Sequence, residues 1–301
     1  MRILITGATG LIGSQLTRAL LQAEYQITVI TRSISAAQEQ LGHAIDYYAD
    51  IDDLPFNQQF DAIINLAGEP IFGKRWTPRQ KQAISQSRLH ITAKLVEFIR
   101  KSDAPPRILL SGSAVGYYGM QGERIVTEES ASTQGFTHQL CQLWEETARQ
   151  ATTLGVRVCL LRTGLVLSTH GGMLGKMTPV FRAGLGAILG DGRQFMPWIH
   201  IDDQIAAIRY LLEHPVLSGP FNLTAPIPVT NRQFSQTLAK TLQRPCFLSL
   251  PAPLIKLGLG EASALLLEGQ RAVPTRLEEA GFEFQFSTLE SALASLFTHR
   301  E

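Results

Sequence analysis

An α/β fold built on a doubly wound parallel sheet, completed by a smaller and mainly helical C-terminal cap, is the class this sequence predicts. Three observations carry it. Short β-branched apolar runs alternate with longer helical patterns, a glycine-rich turn joins the first run to the first helical stretch, and periodicity weakens after Leu167. Near-continuous apolar runs between amphipathic stretches mark strands that βαβ crossovers bury on both faces. In order, the runs are Arg2–Thr6, Gln26–Thr31, Asp46–Ala49, Ala62–Leu66, Arg107–Ser111, Arg157–Arg162 and Pro220–Leu223. Helical spacing covers Leu11–Gln22, Pro78–Lys101 and Phe136–Leu154. In the last of these, Phe136, Leu140, Leu143, Trp144, Thr147, Ala151 and Leu154 recur at helical intervals and predict one buried stripe. Thr169-His170-Gly171-Gly172-Met173-Leu174-Gly175-Lys176-Met177 reads as a mobile flap, because glycines free the backbone and a lid can exclude water from a reaction. Lys176 is its candidate anion contact. The stretch from Pro245 onward, with Phe282, Phe284 and Phe286, reads as the helical cap. The expected division is 1–168 for the sheet domain, rejoined by about 199–224, and 169–301 for flap and cap.

Composition narrows the function classes. The chain has 301 residues, 27 Lys and Arg against 26 Asp and Glu, and 45% hydrophobic residues. It can bury a large core, and its balanced charge excludes binding to nucleic acid by bulk phosphate neutralisation. No apolar run is long enough to span a bilayer. Cys141, Cys159 and Cys246 are too few and too scattered for a disulfide framework or a zinc site, and no metal-ligand cluster or nucleophilic triad is expected. The chain opens directly on a strand and a glycine turn, so a cytoplasmic protein without a secretory leader is expected.

Thr6-Gly7-Ala8-Thr9-Gly10-Leu11-Ile12-Gly13 supplies the chemistry. Gly7 permits a tight turn, Gly10 lets the backbone approach a pyrophosphate, and Gly13 lets the helix pack on the strand. The helix start offers N–H donors to the anion. The spacing is GxxGxxG rather than GxGxxG, and a strand before it with an amphipathic helix after it favours dinucleotide binding over a plain turn. An NAD site usually places a carboxylate after the second strand to bond the ribose 2′-hydroxyl. Here Ile30-Thr31-Arg32-Ser33 has none, while the planar fork of Arg32 suits a 2′-phosphate. Missing acid and available cation together favour NADP(H).

These residues resemble an extended short-chain dehydrogenase/reductase with a Rossmann-type sheet. Asp61-Ala62-Ile63-Ile64-Asn65-Leu66-Ala67-Gly68 is similar to the fourth-strand motif along the cofactor, and Asp50-Ile51 to the pair that meets the adenine. Ser111-Gly112-Ser113-Ala114-Val115-Gly116-Tyr117-Tyr118-Gly119 resembles the strand end that carries the active-site serine. Trp198-Ile199-His200-Ile201-Asp202-Asp203 resembles the late motif that returns the chain to the sheet domain. Leu66-Ala67-Gly68-Glu69-Pro70-Ile71, Ser87-Arg88-Leu89, Trp144-Glu145, Phe195-Met196-Pro197-Trp198-Ile199-His200 and Leu267-Glu268-Gly269-Gln270-Arg271 extend the likeness to the NAD-dependent epimerase/dehydratase family and its YfcH-like subfamily. The resemblance implies an NADP-dependent oxidoreductase or epimerase for a small polar, sugar-nucleotide-like substrate. It also implies cofactor contacts at Glu69, Arg88 and Leu165, and a homodimer through the helices Pro78–Lys101 and Phe136–Leu154.

The family's reaction uses Ser, Tyr and Lys, the last two as YxxxK with an acid four residues on. A phenol is a poor base at neutral pH without a neighbouring cation. Glu145 best matches the acid, which puts Cys141 in the lysine's place and Thr137 in the tyrosine's, and YxxxK occurs nowhere in the chain. Ser113, Tyr117, Tyr118 and Cys141 are the substitute candidates. His200, between two isoleucines, reads as structural. The alternative to an enzyme is a non-catalytic NADP(H)-binding regulator or sensor.

Overall fold

A computed structural model describes residues 1–55 and 57–298 of the chain; the last three residues of the expected cap lie outside them. The sheet domain opens with β1 (Arg2–Thr6), α1 (Leu11–Gln22), β2 (Gln26–Ile30), α2 (Ile34–Leu41), β3 (Asp46–Tyr48) and β4 (Ala62–Asn65). It continues with α3 (Pro78–Lys101), β5 (Ile108–Ala114), the short β6 (Ile125–Val126), α4 (Phe136–Arg149) and β7 (Arg157–Thr163). There follow β8 (Leu165–Leu167), α5 (Gly172–Arg182), β9 (Ala187–Leu189), β10 (Phe195–Met196), β11 (Trp198–His200), α6 (Ile201–Glu213) and β12 (Gly219–Leu223). The chain ends with β13 (Val229–Thr230), α7 (Asn231–Thr241), β14 (Leu248–Leu250), α8 (Ala252–Leu259), α9 (Ala264–Leu267), β15 (Arg271–Ala272), α10 (Thr275–Glu279) and α11 (Leu289–Thr298).

Seven parallel strands form the main sheet in the order β12-β7-β5-β4-β1-β2-β3, so the expected doubly wound architecture is present. Alternate residues serve opposite faces. Ile3, Ile5, Ile64, Leu110 and Leu161 meet Leu16 and Leu20 of α1 and Ile205, Ile208 and Leu211 of α6. Leu4, Ile63, Leu109 and Leu160 meet Leu95, Val96 and Ile99 of α3 and Ala148 of α4. The expected strands lie within a few residues of the observed ones. The largest difference is at β5, which runs on to Ala114 because Ser113 and Ala114 pair with Arg162 and Thr163 of β7.

Two expectations need correction. The glycine-rich flap is for the most part α5: Leu174, Thr178 and Phe181 repeat at helical spacing and are buried, and only intervening glycines mask the pattern. The predicted stripe of α4 is also displaced. Leu143 is half-exposed, whereas Leu140, Cys141, Trp144, Glu145 and Ala148 face inward. A buried carboxylate takes the place that apolar counting gives to leucine.

The cap is tied to the sheet domain by polar anchors. Both Asp203 oxygens on α6 accept backbone N–H groups, from Gln285 at 2.8 Å and Phe286 at 3.0 Å. His200 caps α6 by accepting from the Asp202 N–H at 3.1 Å and stacks on Phe286, in keeping with its structural reading. The edge of β12 is covered by side chains instead of another strand. Arg276 donates to Pro220 O and Ser218 O at 2.7 Å each, and Glu128 accepts from Asn222 N at 2.9 Å. Such covering removes a template for strand addition.

Candidate functional site

The carboxyl ends of β1 and β4 meet where the strand order reverses, the place at which open α/β sheets leave a crevice. Gly7 holds φ +73°, which side chains rarely adopt, and a Cβ there would lie 2.6 Å from the Leu66 carbonyl carbon. A Cβ on Gly13 would sit 2.1 Å from Gly7 O, so α1 approaches the turn only because that side chain is missing. Gly10 is the N-cap of α1, with no side-chain cap and no acid in the first turn. The first N–H groups of α1, from Leu11 and Ile12, and the positive end of the helix therefore remain available to an anion. Thr9 borders the same turn, its carbonyl accepting from Gln40 at 3.3 Å.

Thr31 continues β2, donating its N–H to Tyr48 O at 2.9 Å, and Arg32 after it is exposed. Its charge nevertheless acts on Glu69, four residues beyond the end of β4. The Glu69 carboxyl is held below the usual range, first by Lys74 at 2.9 Å and to a smaller extent by Arg32. Asp50 is held by its neighbours. Its Oδ1 accepts from Lys94 Nζ at 2.7 Å and from Asp52 N at 3.1 Å, while the Ile51 side chain is buried.

The backbone of Leu66, Ala67, Gly68 and Glu69 runs along the crevice and is held from α3. Glu69 donates its N–H to Ser87 Oγ at 2.9 Å, and Arg88 donates to Glu69 O at 3.0 Å. The Arg88 guanidinium lies against Gly68, where a Cβ would come within 2.9 Å of it, and 5.2 Å from the Trp144 ring. It therefore sits on the strand side of α3 and not on the outer face. Asn65 and Trp144 both donate to Thr92 Oγ1, at 2.8 and 3.0 Å, a cluster that no motif announced. Leu165 lies across the sheet end, donating its N–H to Pro197 O at 2.7 Å.

At the ends of β5 and β7 the side chains form a closed polar network. Arg162, 1% exposed, grips Glu145 through Nε–Oε1 at 2.8 Å and Nη2–Oε2 at 2.9 Å. Ser113 donates to Glu145 Oε1 at 2.7 Å, so its proton is already committed. Arg162 Nη1 also donates to Tyr118 Oη at 3.1 Å and Glu128 O at 3.0 Å. Tyr118 donates in turn to Asn222 Oδ1 at 2.7 Å. Buried charge needs such full pairing to be tolerated.

This network removes two catalytic candidates. Tyr118 is wholly buried, its hydroxyl is spent within the network, and burial pushes its pKa up to about 12. Cys141 is buried on α4, where burial and then the Glu145 charge push its thiol up to about 12, the wrong direction for a thiolate nucleophile. Tyr117 differs from its neighbour. Its ring lies on the Arg162 guanidinium, 3.5 Å from its centroid, and its carbonyl is held by His138 Nδ1 at 2.7 Å. It is partly exposed, and its hydroxyl bonds no described residue. Arg162 itself escaped the sequence reading. The available signal was a charge ending an apolar strand, with an acid on the preceding helix.

Beside this network lies an open cavity of about 570 Å³, between Trp76, the start of α4 at Gly135–Thr137 and the cap residues Lys256, Ser263, Leu267 and Glu268. Arg75 joins its two sides by donating to Gly258 O at 2.8 Å and to Leu257 O. Lys176, on α5, points to Phe72 on the other flank of the same loop, 5.8 Å from its ring centroid. Among the described residues no helix is long and apolar enough to cross a membrane, and no cluster of metal-ligating side chains occurs.

Known proteins of this architecture share most of the chain. An epimerase family protein of Mycobacterium bovis is 42% identical over 292 residues, covering 97% of this chain and 96% of its own. The crystal structure of human epimerase family protein SDR39U1 (isoform 2) with NADPH superposes with a TM-score of 0.90 at 32% identity, over 99% of this chain and 100% of that one. A nucleoside-diphosphate sugar epimerase from Corynebacterium glutamicum gives 0.79 at 30% identity, over 98% of this chain and 57% of that one. Residues 250–296 match a domain of unknown function, DUF1731, which falls in the cap. Residues 3–223 match the NAD dependent epimerase/dehydratase family, and the chain belongs to that family.

Proposed function

We propose that the chain is an NADP(H)-dependent oxidoreductase or epimerase acting on a small polar substrate. The observation that carries this reading is the uncapped glycine turn of α1 beside Arg32, at a position where an NAD site has a carboxylate. The residues present fit the dinucleotide: Gly7 and Gly13 leave space that a Cβ would fill, and the α1 N–H groups lack a competing cap. Gly7, Thr9, Gly10, Leu11, Ile12 and Gly13 would hold the pyrophosphate, with Thr31 and Arg32 at the 2′-phosphate. Asp50 and Ile51 would border the adenine, and Leu66 to Glu69, Arg88 and Leu165 would line the remainder. The bound nicotinamide supplies hydride transfer. Tyr117, with its hydroxyl free of protein partners, exchanges the proton with the substrate oxygen. Support for NADP(H) comes also from the human relative solved with NADPH.

Fluorescence titration with NADPH and NADH tests the assignment. Arg32→Asp should weaken NADPH by roughly 10- to 100-fold, the scale of a charged hydrogen bond, and leave NADH nearly unchanged. Equal loss for both dinucleotides removes Arg32 as the discriminating residue. Light scattering on the same samples reads whether a second copy pairs through α3 and α4. A second reading, a non-catalytic NADP(H) sensor, draws on one observation: Thr137 and the buried Cys141 occupy the places of the family's tyrosine and lysine. It predicts tight NADPH binding with no consumption of cofactor under any substrate.

A further inference from the structure

We infer that the cavity beside Trp76 takes an uncharged, ring-bearing carbonyl compound or alcohol, and not a nucleoside diphosphate sugar. The inference rests on the reading of the neighbouring crevice as the cofactor site, and it names the substrate class of the same centre. The cavity reaches that centre through Thr137, which packs on Gly116, and Gly119, which follows the turn bearing Tyr117. Its volume of about 570 Å³ suits a compact organic molecule.

The charges decide the class. A diphosphate is recognised by unpaired Arg and Lys forks or point charges. Among the described residues, the only cation lining this cavity is Lys256. It shares the wall with the carboxylates Glu261 and Glu268, and Glu261 is already paired with Lys81 from outside. One ammonium against two carboxyl groups leaves the wall without the positive charge that would draw a diphosphate. Arg88, Arg75 and Arg162 are spent on carbonyls or on Glu145, and Arg271, which does not line the cavity, lies over the Phe195 ring with its guanidinium carbon 5.0 Å from the centroid. Arg162 cannot turn to a diphosphate without stranding the buried Glu145 carboxylate, and Arg88 serves the partly buried carbonyls of Glu69 and Ile84.

The apolar surface supplies the complement. Trp76 and Phe136 stand edge-to-face with centroids 5.0 Å apart, and Leu267 and Ala264 face them from α9. A flat or puckered ring fits against such a wall. The first turn of α4, whose N-cap is Gly135 without a side-chain cap, together with the Thr137 hydroxyl, offers hydrogen bonds to a carbonyl or hydroxyl oxygen.

Saturation-transfer NMR on the full chain with NADP⁺ present tests this, with α-tetralone and UDP-glucose as the two probes. The expected result is saturable α-tetralone binding and no signal from UDP-glucose. Ala264→Trp, which fills the cavity from the cap, should weaken α-tetralone at least 10-fold while NADPH titrates as in the wild type. Met120→Trp, from the opposite wall, repeats the test should the first variant fold poorly. UDP-glucose binding, absence of α-tetralone binding, or α-tetralone binding that ignores both tryptophans would each overturn the inference. Failure to bind NADPH in the same samples would instead refute the cofactor reading, and the cavity result would stand apart from it.

Discussion

The crevice between β1 and β4 and the strand ends of β5 and β7 lie side by side on one sheet but are built from different materials. The crevice is a backbone construction. Gly7, Gly10 and Gly13 act by what they lack, and the open N–H groups of α1 need no side chain to place them. The neighbouring strand ends are a side-chain construction, in which Arg162, Glu145, Ser113, Tyr118 and Asn222 satisfy one another out of contact with water. The first kind of site stays open for a ligand. The second consumes the groups from which an acid–base site would be made, and leaves Tyr117 at its border.

Glu145→Ala probes that division most severely. Removing the carboxylate strands the Arg162 guanidinium in a buried position, and unfolding should become easier by about 3–5 kcal/mol. Urea unfolding followed by circular dichroism measures the change. A loss below about 1 kcal/mol, the ordinary scale of an exposed pair, would show that the network is solvated and that Ser113 is free for a substrate.

The two adjacent tyrosines sharpen the same contrast at smaller scale. Tyr118→Phe deprives Asn222 Oδ1 of its donor and Arg162 of an acceptor in a buried setting, which costs about 1–3 kcal/mol. Tyr117→Phe removes a hydroxyl that no described residue uses and should change stability by at most roughly 0.5 kcal/mol. If Tyr117→Phe were the more damaging of the two, the hydroxyl assigned to substrate would have a structural duty instead.

The backbone site was the legible one. Glycines at fixed spacing between a strand and a helix announce a tight, closely packed turn in the sequence, because only absent side chains allow the close approaches found at Gly7 and Gly13. Strand and helix bounds followed from apolar periodicity for the same reason: β1, α1 and α3 end where the pattern ends. The side-chain site was legible only in part: Ser113, Tyr118 and Glu145 stood out, but Arg162 and their pairing did not, because these residues meet only through the pairing of β5 with β7 and the docking of α4. Counting apolar letters put Leu143 in the core and overlooked Glu145, whose burial depends on a partner contributed by another element. In α5, glycines diluted a real helical stripe into the likeness of a flap. The pairing of Asp50 with Lys94, 44 residues away in the chain, was likewise beyond the reach of the motif that singled Asp50 out.

Asp50 gives the smallest and most specific expectation, and it lies on the cofactor side. The hydrogen bond from Lys94, then that from the Asp52 N–H, holds its carboxyl below the ordinary value. A carboxylate whose folded pKa is depressed binds fewer protons folded than unfolded. Its stabilisation is therefore complete above the unfolded value, near 3.9, and disappears as pH falls through the folded value. The pair is substantially exposed, so solvent screening keeps its contribution at neutral pH small. Wild type and Asp50→Asn should thus differ by a small constant amount above about pH 5 and converge at lower pH. Thermal unfolding in low salt across that range reads the difference. A gap that stays constant down to the most acidic samples would show that the Lys94 pair is not its source. Should NADPH also bind Asp50→Asn as tightly as wild type, the carboxylate serves the turn after β3 and the adenine is met by backbone alone.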